Sequence, residues 1–123
     1  MTSENKPTVE QVLGMMRQAM GSVPPAIEKA SQLDEGILHE HLRSKGYAMP
    51  AEGALDEQTR TLVYLSAALG AGSQACVRAM ANKARAQGIA EEKLLETLRI
   101  ARLAAASKVL ADAEPLFDAL LNR

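Results

Sequence analysis

LDEQTRTLVYLSAALGAGSQACVRAMANKARAQG, residues 55–88, contains two helix-forming runs separated by a Gly-Ala-Gly break. Asp56 is a candidate N-cap for the first run, because its carboxylate can accept hydrogen bonds from the unpaired N–H groups of a first helical turn. Ser73 can cap the second run in the same way. Gly88 followed by Ile89 has the pattern of a left-handed C-cap with its apolar contact. The stretch therefore predicts two helices joined by a short turn.

Apolar residues also recur at helical spacing upstream of this stretch. A first helix is predicted from Thr8 until Gly21. A second helix is predicted from Pro25 to Gly46, because proline suits the first turn of a helix and glycine commonly ends one. Residues 47–54 contain both proline and glycine and are predicted to form a loop. The N-terminal part of the chain thus supplies two more helices.

Helical signals continue downstream to the end of the sequence. Glu91 and Glu92 suit the positive end of a long helix that runs into a series of alanines. Pro115 interrupts this pattern before a terminal helix. Nowhere do apolar and polar residues alternate as in a half-buried strand. The predicted fold is all-α, a single-domain antiparallel helical bundle of about six helices over residues 8–123, preceded by a polar tail at residues 1–7.

The composition indicates that the chain associates with further copies of itself. Apolar residues make up 47% of its 123 residues, but aromatic residues make up only 2%. The apolar share comes from Ala, Leu and Met instead. Because buried apolar area stabilises a fold by roughly 25 cal/mol per Å², an alanine-rich monomer of this length is expected to be marginally stable. We therefore expect a homo-oligomer.

The charge and hydropathy of the chain indicate which classes of partner are not expected. The formal net charge is −1, and basic residues are spread along the helices, so no nucleic-acid partner is expected. No apolar run approaches the ~20 residues that span a bilayer, so no membrane partner is expected. The polar N-terminus has no signal-peptide pattern. A single cysteine excludes an intrachain disulfide and fits a cytoplasmic location.

Cys76 is the one candidate reactive atom in this sequence. It falls in the first turn of the helix that Ser73 is predicted to cap, where unpaired N–H groups favour a thiolate. Ser73 could orient that thiolate, and Arg78 is a weaker candidate for stabilising its charge. Alternatively, Cys76 is a small core residue and Ser73 is an ordinary N-cap. The residues alone leave both interpretations open.

Three segments carry a family resemblance: LDEQTRTLVYLSAALGAG, SQACVRAM and ANKARAQGIAEEKLLETLRIARLAA. Together they resemble the carboxymuconolactone decarboxylase family, which includes the alkylhydroperoxidase D-like proteins. The strongest marks are the LDE-x-TR helix start, the AxG break and the G-I-x-E-E-K-L helix start. The resemblance implies a small all-helical protein that assembles as a trimer or hexamer.

The resemblance also implies a set of site residues, and most of them differ in this chain. The peroxidase-like branch of the family has a CxxC pair, a His four residues after the second Cys, and a Glu twelve residues before the first. The second Cys falls on Cys76 and the first on Ser73. The His position holds Met80 and the Glu position holds Thr61. Glu57, one turn before Thr61, is a possible substitute carboxylate.

These differences leave two hypotheses for the function. The first is a single-cysteine peroxidase or thiol-redox (antioxidant) protein, an alkylhydroperoxidase-like oxidoreductase, that acts through Cys76 and uses an external thiol as reductant. The alternative is a catalytically degenerate oligomeric module that binds small molecules or partners without redox activity. The decarboxylase branch implies a His-containing pocket, and no His lies in the matching segment.

No metal or organic cofactor is expected. His39 and His41 are the only histidines, and their i, i+2 spacing places them about 200° apart around a helix, so one helix cannot direct both at one metal ion.

Overall fold

A computed structural model describes residues 6–122, which form seven α-helices and no strand. The predicted all-α helical bundle is confirmed. Residues 1–5 of the predicted polar tail, and residue 123, lie outside the described residues. The helices are α1 (Val9–Met20), α2 (Pro25–Leu33), α3 (Glu35–Ala48), α4 (Glu57–Ala71), α5 (Gln74–Ala86), α6 (Glu91–Asp112) and α7 (Glu114–Leu121).

The predicted second helix is divided into α2 and α3 by Asp34. Its backbone is extended, with φ −158° and ψ 104°, and its carboxylate accepts a hydrogen bond from the Gly36 N–H at 2.9 Å. This side-chain bond caps α3 and competes with continuation of α2. A capping residue inside an otherwise continuous apolar pattern therefore accounts for the additional helix.

The predicted helix end at Gly46 is wrong. Among the described glycines, only Gly21, Gly72 and Gly88 have positive φ, and glycine ends a helix when it adopts that left-handed conformation. Gly46 stays helical, and α3 continues to Ala48. The loop predicted at residues 47–54 accordingly begins later.

The turn between α4 and α5 determines where the candidate site lies in the fold. Asp56 caps α4 as predicted, its carboxylate accepting the Thr59 N–H at 2.8 Å. Gly72 ends α4 with φ +77°, and the Ser73 N–H donates to the Ala68 carbonyl at 3.0 Å. This is a Schellman arrangement, which satisfies the last carbonyls of the helix. Ser73 thus closes α4 and, as the predicted N-cap, begins α5.

The predicted C-cap of α5 is also present. Gly88 has φ +70°, and the Ile89 N–H donates to the Ala84 carbonyl at 3.0 Å. Both Ile89 and Ala84 are buried, so the apolar contact of the cap also fixes the direction in which α6 leaves α5.

The buried core has two parts. The first is formed by α1 and α3, and the second lies where α4 packs against α5 and α6. The Asn82 side chain donates to the Met20 carbonyl at 3.3 Å and so ties α5 to the end of α1. The buried members of the first part are Val12, Met16, Met20 and Leu38, and those of the second include Thr61, Leu65, Ala68, Met80, Ala84 and Ala101.

The second half of α6 and all of α7 form a C-terminal arm, defined here as residues 102–121, whose apolar side chains are exposed in the single chain. α7 has no buried residue, and the buried residues of α6 precede the arm. Within residues 6–122, no helix combines the length and apolar character that crossing a bilayer requires. The exposed apolar residues of the arm include Leu103, Val109, Leu110, Leu116, Phe117 and Leu121.

Candidate functional site

Cys76 lies in the first turn of α5, where it is half-buried. Its backbone N–H donates to the Ser73 Oγ at 3.4 Å, the N-cap bond that fixes the start of the helix. Because the serine hydroxyl accepts this bond, its own proton remains available to a neighbouring acceptor. The predicted proximity of Ser73 to the cysteine is therefore present, and the thiol is partly open to solvent.

The Tyr64 hydroxyl lies 3.4 Å from the Cys76 Sγ. Tyr64 is on α4, twelve residues before Cys76, and reaches it across the α4–α5 turn. The hydrogen bond to Cys76, followed by burial and by the charge of the thiolate, raises the pKa of Tyr64 to about 12. At neutral pH the tyrosine therefore keeps its proton and can donate it to the sulfur.

Hydrogen bonds lower the pKa of the Cys76 thiol. The largest contribution comes from the Ser73 side chain, the next comes from Tyr64, and partial burial opposes both. Hydroxyl donors stabilise the thiolate more than the thiol, because the charged sulfur is the stronger acceptor. The fraction of Cys76 that is ionised at neutral pH is therefore larger than that of a free cysteine.

Cys76 borders a largely apolar cavity of about 370 Å³, which we call the Cys76 cavity. Side chains from α1 to α5 contribute to its wall, so it exists only when the N-terminal helices pack beside the α4–α5 pair. Most of these side chains are aliphatic, and the polar ones include His41, Lys45 and Tyr64. The wall is completed by Met16, Met20, Pro24, Ala26, Ile27, Ser44, Ala48, Met49, Ala75, Ala79 and Met80.

The family resemblance implies proton-carrying residues at two positions. In this chain both positions hold side chains that form other contacts. Met80 is buried and lines the Cys76 cavity. The Thr61 Oγ1 lies 3.1 Å from the Glu57 carbonyl and 2.9 Å from the Gln87 Oε1. None of the hydrogen bonds in the described part of the chain joins Thr61 to Cys76. The hydroxyl of Thr61 therefore links α4 to the end of α5.

Glu57 and Arg78 line other surfaces. Glu57 contributes to a second depression beside Lys45 and Lys83. Arg78 lines a shallow depression at the α4–α5 turn and a small one beside α1, and it is not part of the Cys76 cavity wall. The structure therefore brings Ser73 and Met80 to the cysteine and places these two charged candidates elsewhere.

The sequence patterns did not indicate that Tyr64 lies beside Cys76. They also did not indicate that His41 and Lys45 line the cavity. A signal for Tyr64 existed, since it precedes Cys76 by the same twelve residues that separate Thr61 from Ser73. His41 and Lys45 share an i, i+4 face of one helix. Both lie far from Cys76 along the chain, so no local pattern indicates that they are close to it in the folded protein.

No metal site is found in the described residues. Within residues 6–122, His, Cys, Asp and Glu side chains nowhere form a group of three that could hold a metal ion. The groups at the candidate site that can take part in a reaction include the thiol, the two hydroxyl groups and the side chain of Lys45.

The profile of the carboxymuconolactone decarboxylase family matches residues 40–119. The match extends from α3 to α7 and covers well over half of the chain, so the chain belongs to this family. The match includes His41 and Lys45, which precede the three segments that carry the resemblance in the sequence. No curated protein matches the chain at a significant level.

Replacing Ser73 with alanine is expected to lower the free energy of unfolding by ~1 kcal/mol, the usual cost of losing an N-cap oxygen. It also removes the largest contribution to the lowered pKa of Cys76, so the pKa of the thiol should rise. Urea denaturation at fixed protein concentration measures the first effect, and the pH dependence of alkylation measures the second. Ser107→Ala, an exposed serine within α6, is the control. Equal stability of both variants would contradict the capping role.

Proposed function

We propose that this protein is a single-cysteine hydroperoxide reductase in which Cys76 is the nucleophile and an external thiol is the reductant. The observation that carries this proposal is the Tyr64 hydroxyl, 3.4 Å from the Cys76 Sγ at the wall of an apolar cavity. It gives the thiolate a hydrogen-bond donor and gives the reaction a proton source. Both are needed, since the family's His position is occupied by Met80.

In the first step the Cys76 thiolate attacks the terminal oxygen of the hydroperoxide. A sulfur–oxygen bond forms, the oxygen–oxygen bond breaks, and the peroxide leaves as an alkoxide. Tyr64, whose pKa is about 12, donates its proton to this more basic alkoxide and regains a proton from solvent. Cys76 is then a sulfenic acid, and the hydroperoxide has been reduced to an alcohol.

The second half of the cycle requires thiols from outside the chain. Ser73 occupies the position of the resolving cysteine, and a hydroxyl cannot form a disulfide. A reductant thiol instead attacks the sulfenic sulfur and releases water, which leaves a mixed disulfide. A second thiol then attacks the reductant's sulfur, freeing Cys76 and forming the reductant disulfide. A cytoplasmic location, where small thiols are kept reduced, suits this cycle.

We also propose that the protein is a homo-oligomer, a trimer or hexamer, assembled through the C-terminal arm. The arm exposes several large leucine, valine and phenylalanine side chains, and large exposed apolar surfaces commonly mark sites of protein association. Covering them with another copy adds the apolar burial that the small core of the single chain lacks.

A second candidate function is a binding module without redox activity. The apolar wall of the Cys76 cavity and the methionine at the family's His position favour it. Such a module would hold a small apolar molecule in the cavity, and Cys76 would serve only as part of the wall.

The rate of iodoacetamide alkylation as a function of pH separates the two functions. The native protein is expected to react with an apparent pKa below the ~8.5 of a free thiol. Tyr64→Phe should raise this pKa, because a donor to the thiolate is lost, and should slow alkylation at pH 7 by about three- to tenfold.

The matched control is Tyr47→Phe, since Tyr47 is the other tyrosine of the chain and is 87% exposed. It should leave the profile unchanged. Labelling of Cys76 that begins only when the protein unfolds would contradict the reductase and support the binding module.

A further inference from the structure

The Cys76 cavity adjoins a second depression of about 310 Å³, which we call the basic depression. Lys45 and Met49 belong to the walls of both, so the two spaces meet at these side chains. The remaining wall of the basic depression consists of Ala51, Glu57, Arg60 and Lys83. An anionic group bound at Lys45 would therefore lie at the border between the apolar space and the cationic space.

The basic depression has an excess of positive charge. Its wall carries Lys45, Lys83 and Arg60 against the single carboxylate of Glu57. Among residues 6–122, the ion pairs are Arg43–Glu40 and Lys108–Asp112, so neither lysine of the depression is paired with a carboxylate.

Lys45 is the cation of the basic depression that a bound anion would stabilise most. Burial lowers the pKa of Lys45, and the nearby charge of Lys83 lowers it further. Both effects penalise the ammonium ion, and an anionic group between the two lysines would offset both. The Arg60 Nη1 is held by the Leu55 carbonyl at 2.7 Å, which fixes its guanidinium at the edge of the same depression.

We infer that the preferred substrates are hydroperoxides of amphipathic carboxylic acids, whose carboxylate binds at Lys45 and Lys83 while the apolar chain fills the Cys76 cavity. This inference rests on the proposed function, because it specifies the substrate of the same site. The apolar wall favours a hydrocarbon chain, the unpaired ammonium groups favour its anionic head, and Cys76 is part of the wall against which the chain would lie.

Binding can be measured without any thiol chemistry. The Cys76→Ser protein is titrated calorimetrically with decanoate and with decan-1-ol, below the concentration at which either aggregates, at low ionic strength. Decanoate is expected to bind about tenfold more tightly than the alcohol, since a hydrogen bond to a charged group is worth more than one to a neutral group. The preference should weaken as salt is added.

Two lysine variants test the position of the carboxylate. Lys45→Gln is expected to weaken decanoate binding by about tenfold and to change decan-1-ol binding much less, and its circular dichroism spectrum shows whether the variant is folded. Lys83→Gln should act in the same direction. Lys93→Gln, an exposed lysine of α6 outside both walls, is the control. Equal affinity for the two ligands, or decanoate binding that is insensitive to Lys45→Gln, would overturn the inference.

A kinetic comparison distinguishes failure of this inference from failure of the proposed function. Linoleic acid hydroperoxide and its methyl ester carry the same chain and peroxide but differ in charge. The acid is expected to have a kcat/KM about tenfold higher, and Lys45→Gln should remove the difference. Equal kcat/KM values would overturn the substrate class and leave the reductase intact. A decanoate preference in a protein whose cysteine does not react with peroxide would support the carboxylate site and refute the reductase.

Discussion

Replacing Cys76 with serine is expected to abolish hydroperoxide consumption completely. The substitution keeps the size and the hydrogen-bonding positions of the side chain. A serine hydroxyl, however, neither ionises near neutral pH nor forms a sulfenic acid, so both halves of the cycle are lost. The measurement is the rate of hydroperoxide loss in the presence of excess small thiol, compared with the rate for the thiol alone.

Trapping of the intermediate completes this test. Peroxide should convert the wild-type protein to a species that dimedone labels once per chain, at Cys76, and labelling should outpace that of free cysteine. The Cys76→Ser protein should acquire no label. Its helix content and unfolding midpoint should remain close to those of the wild type, because the Ser73 cap and the Tyr64 position do not depend on sulfur. Peroxide consumption by this variant at the wild-type rate would refute the assignment of the nucleophile.

The helix boundaries at Asp56, Ser73 and Gly88 were predictable from the sequence, because each of these cap residues acts on its own turn. Asp56 and Ser73 begin helices because their side-chain oxygens accept N–H groups three residues ahead, and Gly88 ends one because its positive φ suits glycine. Such signals are local and survive in the sequence. Gly46 does not end α3, because it stays helical and forms no left-handed turn. Asp34 caps α3 from within a continuous apolar pattern, which hides the boundary between α2 and α3.

Only the part of the candidate site that lies on a single helical turn was predictable from the sequence. Cys76 and Ser73 lie three residues apart on one turn, and their proximity follows from helix geometry. Tyr64 approaches the sulfur because α4 folds back on α5, which depends on how the two helices pack. Lys45 belongs to a helix more than two dozen residues earlier, and only tertiary structure brings it to the cavity.

The low number of aromatic residues has a consequence at the site as well as in the core. With alanine and methionine as its main apolar residues, the wall of the Cys76 cavity has aromatic rings only at Tyr64 and His41. The aromatic ring beside the sulfur is therefore placed where its hydroxyl can act on the thiol. The same scarcity accompanies a small core and an arm whose apolar side chains are exposed in the single chain.

Introducing charge into the arm by Leu103→Glu together with Leu110→Glu is expected to dissociate the proposed oligomer into monomers. The two leucines lie seven residues apart, on one face of α6, and each is 66% exposed in the single chain. Neither is buried within its own subunit, so their replacement should act mainly on association. Stable interfaces bury about 800 Å² per partner with an apolar centre, and two carboxylates per subunit in that centre would have no partner.

Sedimentation velocity at micromolar concentration measures this outcome. The wild type should sediment as a trimer or hexamer and the double variant as a monomer, with helix content by circular dichroism reporting whether the monomer stays folded. Leu33→Glu adds charge at a leucine of α2 that is 87% exposed and should leave the oligomer intact. A wild-type protein that sediments as a compact monomer would refute assembly through the arm, because its apolar face would then be stable in water.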